Sequence, residues 1–223
     1  MSDKSNDRVE KDSMGEMKIP SQSLYGATTQ RAVENFPVSG IRFSRDYIRT
    51  LGLIKASCAE VNKKLGKLDG KLADAIIGAS GEIEKGKYDE HFVLDIFQTG
   101  SGTSTNMNFN EVAANVANLG VGSQVGSKKP IHPNDHVNMG QSSNDIIPTA
   151  IHVAAALSTR ERLLPALNQL EKTLADKAKK FMKYCKTGRT HLQDATPILL
   201  GQEFSGYQDQ VSKSVQRIER ALT

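Results

Sequence analysis

Apolar residues recur at helical spacing over most of the chain. Tyr47, Leu51, Ile54, Cys58, Val61 and Leu65 follow one another at 4, 3, 4, 3 and 4 residues. That period puts them on one stripe of a helix, with Gly66 suited to its C-terminal end. Leu68, Leu72, Ile76, Ala79 and Ile83 predict a second helix, with Asp69 near its start. A third, shorter helix is predicted from near Asn108. There Asn108 and Glu111 have capping-box spacing, and Val112, Val116 and Leu119 form the apolar edge. A long helical region follows from about Asn144 to Met182, with Leu163, Leu167, Leu170, Leu174, Ala178 and Phe181 as its stripe. Pro148 is expected in its first turn, where proline is tolerated, and Pro165 predicts a kink or a restart. Val211, Val215, Ile218 and Leu222, spaced 4, 3 and 4, form a coiled-coil-like seam on a last helix.

The intervening segments lack this period. Met14 to Pro37 is broken by Gly15, Pro20, Gly26 and Pro37, which predicts turns and a short hairpin. Residues 86–107 are irregular and polar. Residues 120–141 hold four Gly and two Pro and read as a long loop, a feature that is usually functional or disordered. A polar interruption at 184–196 separates the last two helices. Low hydrophobicity over residues 1–13 predicts a disordered lead-in. The fold class is therefore mainly α: a helical N-terminal domain with a short β element over 14–141, then long helices over 142–223.

Composition narrows the function classes. The 223 residues are 38% apolar and 24% charged, as in a soluble globular protein. Aromatics are 5% and Trp is absent, which argues against a base-stacking platform for nucleic acid. The net charge of +4 is uneven: residues 1–150 carry 17 basic and 18 acidic side chains, and 151–223 carry 12 and 7. The excess reads as a solvated basic helix face rather than a polyanion site. Cys58 and Cys185 form neither a disulfide framework nor a metal cluster, and they fit a reducing, cytoplasmic compartment. No run approaches the ~18 apolar residues of a membrane span, so no membrane partner is expected. The opening MSDKSNDRVEKDSMGE lacks the apolar stretch of a secretory signal, and its acids argue against a transit peptide.

Three polar segments stand apart from any core. Thr99-Gly-Ser-Gly-Thr-Ser-Thr-Asn106 is uncharged. Backbone N–H groups around Gly100 and Gly102 can converge on an anion, with Ser101, Thr103 and Thr105 adding hydroxyl donors. A Gly/Ser/Thr surface loop has the same composition. His132-Pro-Asn-Asp-His-Val-Asn-Met-Gly-Gln-Ser-Ser-Asn-Asp145 packs two His, two Asp, three Asn, one Gln and two Ser into fourteen residues. Ser142, Ser143 and Asn144 stand just before a predicted helix, where they can cap it and its first N–H groups can hold a carboxylate. A metal at His132, Asp135 and His136 is disfavoured, since Pro133 and the asparagines oppose a regular His-x-x-x-His helix. Gly188-Arg-Thr-His-Leu-Gln-Asp-Ala195 is a compact polar turn in which His191 can act as acid or base, with Asp194 as a candidate orienter. A helix-linking turn with a solvent histidine is the plain alternative. Together the segments are rich in neutral donors and poor in cations, which suits a small dicarboxylate. No Gly-rich phosphate loop with a following Lys is present.

These segments resemble the fumarase/aspartase superfamily, and class II fumarase most closely. The resemblance is carried by TGSGTSTNMNFNEVAAN, HPNDHVNMGQSSNDIIPTAIHVAA, GRTHLQDATPILLGQEFSGY and the opening GEMKIPSQSLYGATTQRAVENFPVSG, and it covers residues 14 to 223. His191 and Ser143 follow the fumarase spelling, where aspartases read Gln and Thr. The GTST stretch leans toward the aspartase spelling, and Met139-Gly140 replaces the frequent Lys-Ser pair. The aspartase alternative predicts aspartate ammonia-lyase activity.

The resemblance implies a small helical N-terminal domain joined to a central helical bundle, and a homotetramer built on shared helices. It implies reversible hydration of fumarate to (S)-malate in the tricarboxylic acid cycle, with no metal and no organic cofactor. It implies that Ser101, Thr103, Ser142, Ser143 and Asn144 hold the substrate carboxylates, with Thr190 and His191 catalytic at the leaving hydroxyl. His132, Asn134 and Asp135 match a second anion site, where Lys129 supplies the basic residue. The family's loop resembling GSSxMPxKxNP, which carries the catalytic-base serine, has no match in residues 192–223. The chain thus reads as an N-terminal half with a truncated bundle, inactive by itself. A reading from another class is a non-catalytic helical assembly module.

Overall fold

The computed structural model describes residues 7–223 as two compact units, one ending at Ala154 and one running Ala155–Thr223. The first unit begins with an antiparallel hairpin, β1 (Asp7–Asp12) and β2 (Gly15–Pro20), in register from Asp7↔Pro20 to Asp12↔Gly15. Residues 7–12 were expected to be part of an unstructured lead-in, and residues 1–6 of that expectation lie outside the described residues. The strand forms because its charges are paired, not because it is apolar. The Arg8 guanidinium bonds Glu10 at 2.7 Å and donates to the carbonyls of Ser23 and Tyr25, both at 2.6 Å. Arg31 grips Asp12 through two hydrogen bonds of 2.9 and 2.8 Å. That pairing holds the Asp12 carboxyl below its ordinary range. Met17 and Ile19 of β2 face the core.

Seven α-helices follow among the described residues: α1 (Ala27–Asn35), α2 (Arg45–Lys64), α3 (Gly70–Glu84), α4 (Thr103–Gly120), α5 (Ser143–Ser158), α6 (Leu164–Phe181) and α7 (Leu200–Ala221). α2 and α3 pack along each other through the predicted stripes. Leu51 and Ile76 are fully buried, but Val61 and Leu65, at the end of the α2 stripe, are exposed. Asp69 caps α3, its carboxylate accepting from the N–H groups of Lys71 and Leu72. α1 was not predicted.

α4 is buried nearly all round, and it starts at Thr103 rather than near Asn108. Asn108 and Glu111 are therefore not a capping box. Asn108 lies inside the helix and donates to the carbonyl of His91 at 3.0 Å. Glu111 instead caps α1, accepting from the N–H groups of Gly26, Thr28 and Thr29 and the Thr29 hydroxyl at 2.6–3.1 Å. The spacing matched the motif, but Glu111 reaches donors far away in sequence. Asparagine is a poor helix former, yet α4 buries five, and three of them, Asn108, Asn115 and Asn118, hold neighbouring backbone that has no ladder partner. Asn118 makes a two-way bond with the backbone of Ile131, and Asn115 binds Leu24 O and Gly126 N. The 120–141 loop is thus pinned to α4. It contains a cis Lys129–Pro130 bond and a single π-helical turn at Pro133–Val137.

The predicted helix from Asn144 to Met182 is two helices. α5 gives way to a π-helical turn at Thr159–Leu163, and α6 restarts with Pro165 in its first turn. Proline has no N–H to donate, so the ladder widens there. Pro148 lies inside α5 rather than in its first turn. The two units divide within α5, whereas the domain boundary expected at 141–142 falls just before that helix.

In the second unit, α6 and α7 pack together around Ala178, Val215 and an edge-on Phe181–Phe204 pair with centroids 5.2 Å apart. The polar interruption between them, expected as a compact turn, is more extended. It is a second antiparallel hairpin, β3 (Cys185–Thr190) and β4 (Gln193–Leu199), with an irregularity between Thr187 and Arg189. His191 and Leu192 form its two-residue turn at φ of 49° and 60°. Such a turn usually carries Asn-Gly or a similar pair, a cue this sequence lacks.

Candidate active site

In the first unit, two polar segments far apart in sequence meet. Gly102, at φ 66°, ends the 99–102 turn and starts α4. A side chain there would press on Ile147 of α5 at 3.0 Å, so glycine permits this approach of the two helix starts. The Thr103 hydroxyl, on the first residue of α4, lies 2.9 Å from the hydroxyl of Ser143, the first residue of α5. Ser101 extends the chain, its Oγ lying 2.8 Å from Thr103 Oγ1. Ser142 is the residue that caps α5: its Oγ accepts from Asn144 N–H at 3.3 Å. Ser143 and Asn144 are already in the first turn. Ser101, Thr103, Ser142 and Asn144 are exposed, and Ser143 is half-buried.

The five residues thus form one open cluster of hydroxyl and amide donors at the starts of two helices. Both starts carry the positive end of the helix dipole, while Thr99 and Gln98 accept from the Ser104 and Thr105 N–H groups of α4, so the outward donors are chiefly the hydroxyls. Such a cluster can hold a carboxylate without a cationic side chain.

Beneath it lies a residue the sequence reading did not single out. Lys55 of α2 is fully buried. Its Nζ donates to Asn106 Oδ1 at 2.7 Å, Asn138 Oδ1 at 3.1 Å and Gln141 Oε1 at 2.8 Å. Burial pushes its pKa down to about 7, which the nearby Cys58 thiol partly opposes. The one cue in the sequence was position: Lys55 falls four residues after Leu51 and three before Cys58, on the apolar stripe itself.

Of the proposed second anion site, Lys129, His132 and Asp135 line one shallow hollow together with Ser123, Lys128 and His136. Asn134 is exposed beside it. His132 caps the π-helical turn, with Nδ1 accepting from the N–H groups of Asn134 at 3.3 Å and Asp135 at 3.2 Å. His136 Nδ1 accepts from His132 N–H at 2.9 Å.

Thr190 and His191 belong to the second unit, at the exposed tip of the β3–β4 hairpin. Asp194 does not orient His191: it pairs with Arg189 at 2.9 Å.

These features define a mainly helical protein with a donor-rich polar cluster at paired helix starts. The chain belongs to the Lyase family, whose model matches residues 15–223. It is 54% identical over 212 residues to the class II fumarate hydratase of Halobacterium salinarum, covering 95% of this chain and 45% of that protein. It is 53% identical to that of Corynebacterium glutamicum, covering 96% and 44%. Among solved structures it resembles a fumarate lyase:delta crystallin from Brucella melitensis, with a TM-score of 0.92 and 41% identity over 97% of this chain and 50% of that one. A class II fumarase from Schistosoma mansoni gives 0.90 and 44% over 97% and 46%. The fold is therefore that of the fumarases. The chain spans about half the length of the curated relatives it matches.

Proposed function

We propose that this chain is the carboxylate-binding half of a class II fumarate hydratase, which interconverts fumarate and (S)-malate. The observation that carries the reading is the Thr103–Ser143 contact, which joins two helix starts into one neutral donor cluster. Ser101, Thr103, Ser142, Ser143 and Asn144 grip the carboxylates of a small dicarboxylate. In the malate direction a base removes the C3 proton, and the resulting carbanion is held as an aci-carboxylate by donors already aimed at it. Hydroxide then leaves anti to that proton and departs as water. His191, with Thr190, supplies the departing proton.

The base, on this reading, is a serine on a loop that has no match in residues 192–223, within the part of the relatives' length that this chain does not span. On this reading Lys129, His132, Asn134 and Asp135 form a separate anion site. The assembled protein is a cytoplasmic homotetramer of the tricarboxylic acid cycle, needing no metal or organic cofactor and no nucleic-acid or membrane partner. Aspartate ammonia-lyase is the competing activity, and His191 and Ser143 speak against it.

The test is an assay of the full-length protein with fumarate in water and with fumarate plus ammonia. Malate formation that falls at least about 100-fold in Thr103→Ala/Ser143→Ala is expected. Aspartate as the product, or a double variant with full activity, would overturn the proposal.

A further inference from the structure

The buried Lys55 is not used by the mechanism above. Its ammonium has three N–H donors and meets three side-chain carbonyls, from Asn106, Asn138 and Gln141, so every proton is accounted for. Among the described residues no salt bridge joins it to a carboxylate. Replacing such a group by a neutral apolar side chain is often no loss for stability, so stability alone does not account for a lysine here.

Its partners are informative. Asn106 stands one turn after Thr103 on α4. Gln141 immediately precedes Ser142, the cap of α5. Asn138 bridges them, accepting from Asn106 Nδ2 at 3.1 Å and donating to the carbonyl of Gln141 at 3.3 Å. Asn62, two turns along α2 from Lys55, fixes the same stretch by donating to Met139 O at 3.0 Å.

We propose that Lys55 is a positioning residue for the carboxylate-binding cluster. Its buried ammonium clamps the first turn of α4 to the 138–141 turn that leads into α5. The clamp sets the separation of the Thr103 and Ser142–Asn144 grips and places a positive charge behind them.

The proposal rests on the dicarboxylate reading of the cluster and has a consequence for protons. The groups facing Lys55 from α4 and the 138–141 turn are neutral amides. On α2 the titratable neighbour is the Cys58 thiol, which burial pushes up and which also feels Asp145 of α5. With no carboxylate compensating it, burial leaves the Lys55 ammonium only partly populated near pH 7 before a dianion binds. A bound dianion favours the ammonium, so binding takes up a proton from buffer.

Succinate, an unreactive dicarboxylate, provides the probe in the full-length protein. Calorimetric titration at pH 7 in two buffers of different ionisation heat reads the proton uptake. Wild type is expected to take up roughly a few tenths of a proton per succinate. Lys55→Arg, whose guanidinium stays charged, is expected to bind with no uptake. Lys55→Met is expected to bind about 10-fold more weakly or worse. Undiminished uptake in Lys55→Arg, or unchanged affinity in Lys55→Met, overturns the proposal.

Failure of wild type to bind succinate would instead sink the hydratase reading. The clamp is then decided without ligand, by amide hydrogen exchange. Lys55→Met is expected to speed exchange over residues 103–106 and 138–144 by about 10-fold while α3 is unchanged. Should that variant not fold, Gln141→Ala removes one carbonyl and is expected to act in the same direction. Exchange at the wild-type rate in the folded variant overturns the clamp.

Discussion

Glu111 and Lys55 are buried charges whose partners lie far away in sequence. Glu111 is held by donors from Gly26 to Thr29, and its removal leaves the start of α1 without acceptors. Glu111→Ala is expected to cost about 2–4 kcal/mol, read as a lower urea midpoint. An unchanged midpoint would mean that water replaces the cap. Lys55 gives a pH test of stability. Its pKa falls from 10.5 in the unfolded chain to about 7 in the fold. Between those values the unfolded chain binds the extra proton, so stability rises with pH across that window and the contribution is flat below it. The slope is up to about 1.4 kcal/mol per pH unit. The wild-type minus Lys55→Met stability difference, measured from pH 6 to 10, should show this rise, and a flat difference counts against it. Asp95 works in the opposite range. Burial raises its pKa, but hydrogen bonds from Phe97, Ser39 and Gly40 outweigh that and bring it down to about 2. Its contribution is present above the ordinary carboxylate range and is lost as pH falls toward 2. At this scale the hydroxyl cluster was legible in the sequence, because its members sit in short uncharged runs. Lys55 and Glu111 were not, because a lysine on a stripe and a glutamate three residues after an asparagine both have ordinary local explanations.

Among the elements, α2, α3 and the α5–α6 break at Pro165 follow from periodicity and punctuation, since each signal is local. The two hairpins do not. β1 is polar and is held by Arg8 and Arg31, and the β3–β4 turn uses His191 and Leu192 in left-handed backbone in place of the usual glycine. Leu192 is 96% exposed, so its conformation is not repaid by packing. Leu192→Gly should therefore raise the stability of the second unit by about 1 kcal/mol, seen as a higher urea midpoint. A lower midpoint would show that Leu192 is held by contacts in the assembled protein. His191 occupies the same strained turn, as residues in functional sites often do. In the full-length protein, His191→Gln should lower turnover by about 10²–10⁴-fold, with substrate affinity largely kept. Glutamine keeps a hydrogen bond but cannot exchange a proton near neutral pH. Full turnover with only a raised KM would make His191 a binding residue.

For the molecule as a whole, the mainly α class and the order of helices from α2 onward were readable from apolar spacing together with Pro165, whereas α1 was not, and what those spacings bury differs between the two units. The first unit buries a continuous core from Met17 to Ala154. The second buries only Ala178 and Val215 among its hydrophobic residues, although α6 and α7 carry regular apolar stripes. Leu163 and Leu170 remain 44% and 45% exposed, and Met182, Tyr184 and Tyr207 are exposed as well. A stripe of this kind is stable in water when another helix covers it. The excess of five basic residues over residues 151–223 opposes that association at low salt, because like charges on neighbouring copies repel within a Debye length. The chain should therefore self-associate at micromolar concentration, more completely at 0.5 M salt than at 20 mM. Sedimentation velocity reads both effects. A single monomer boundary at both salt concentrations would mean that the exposed leucines are covered by a different partner. A dimer that dissociates on adding salt would mean that charge pairing, not the apolar seam, holds the helices together.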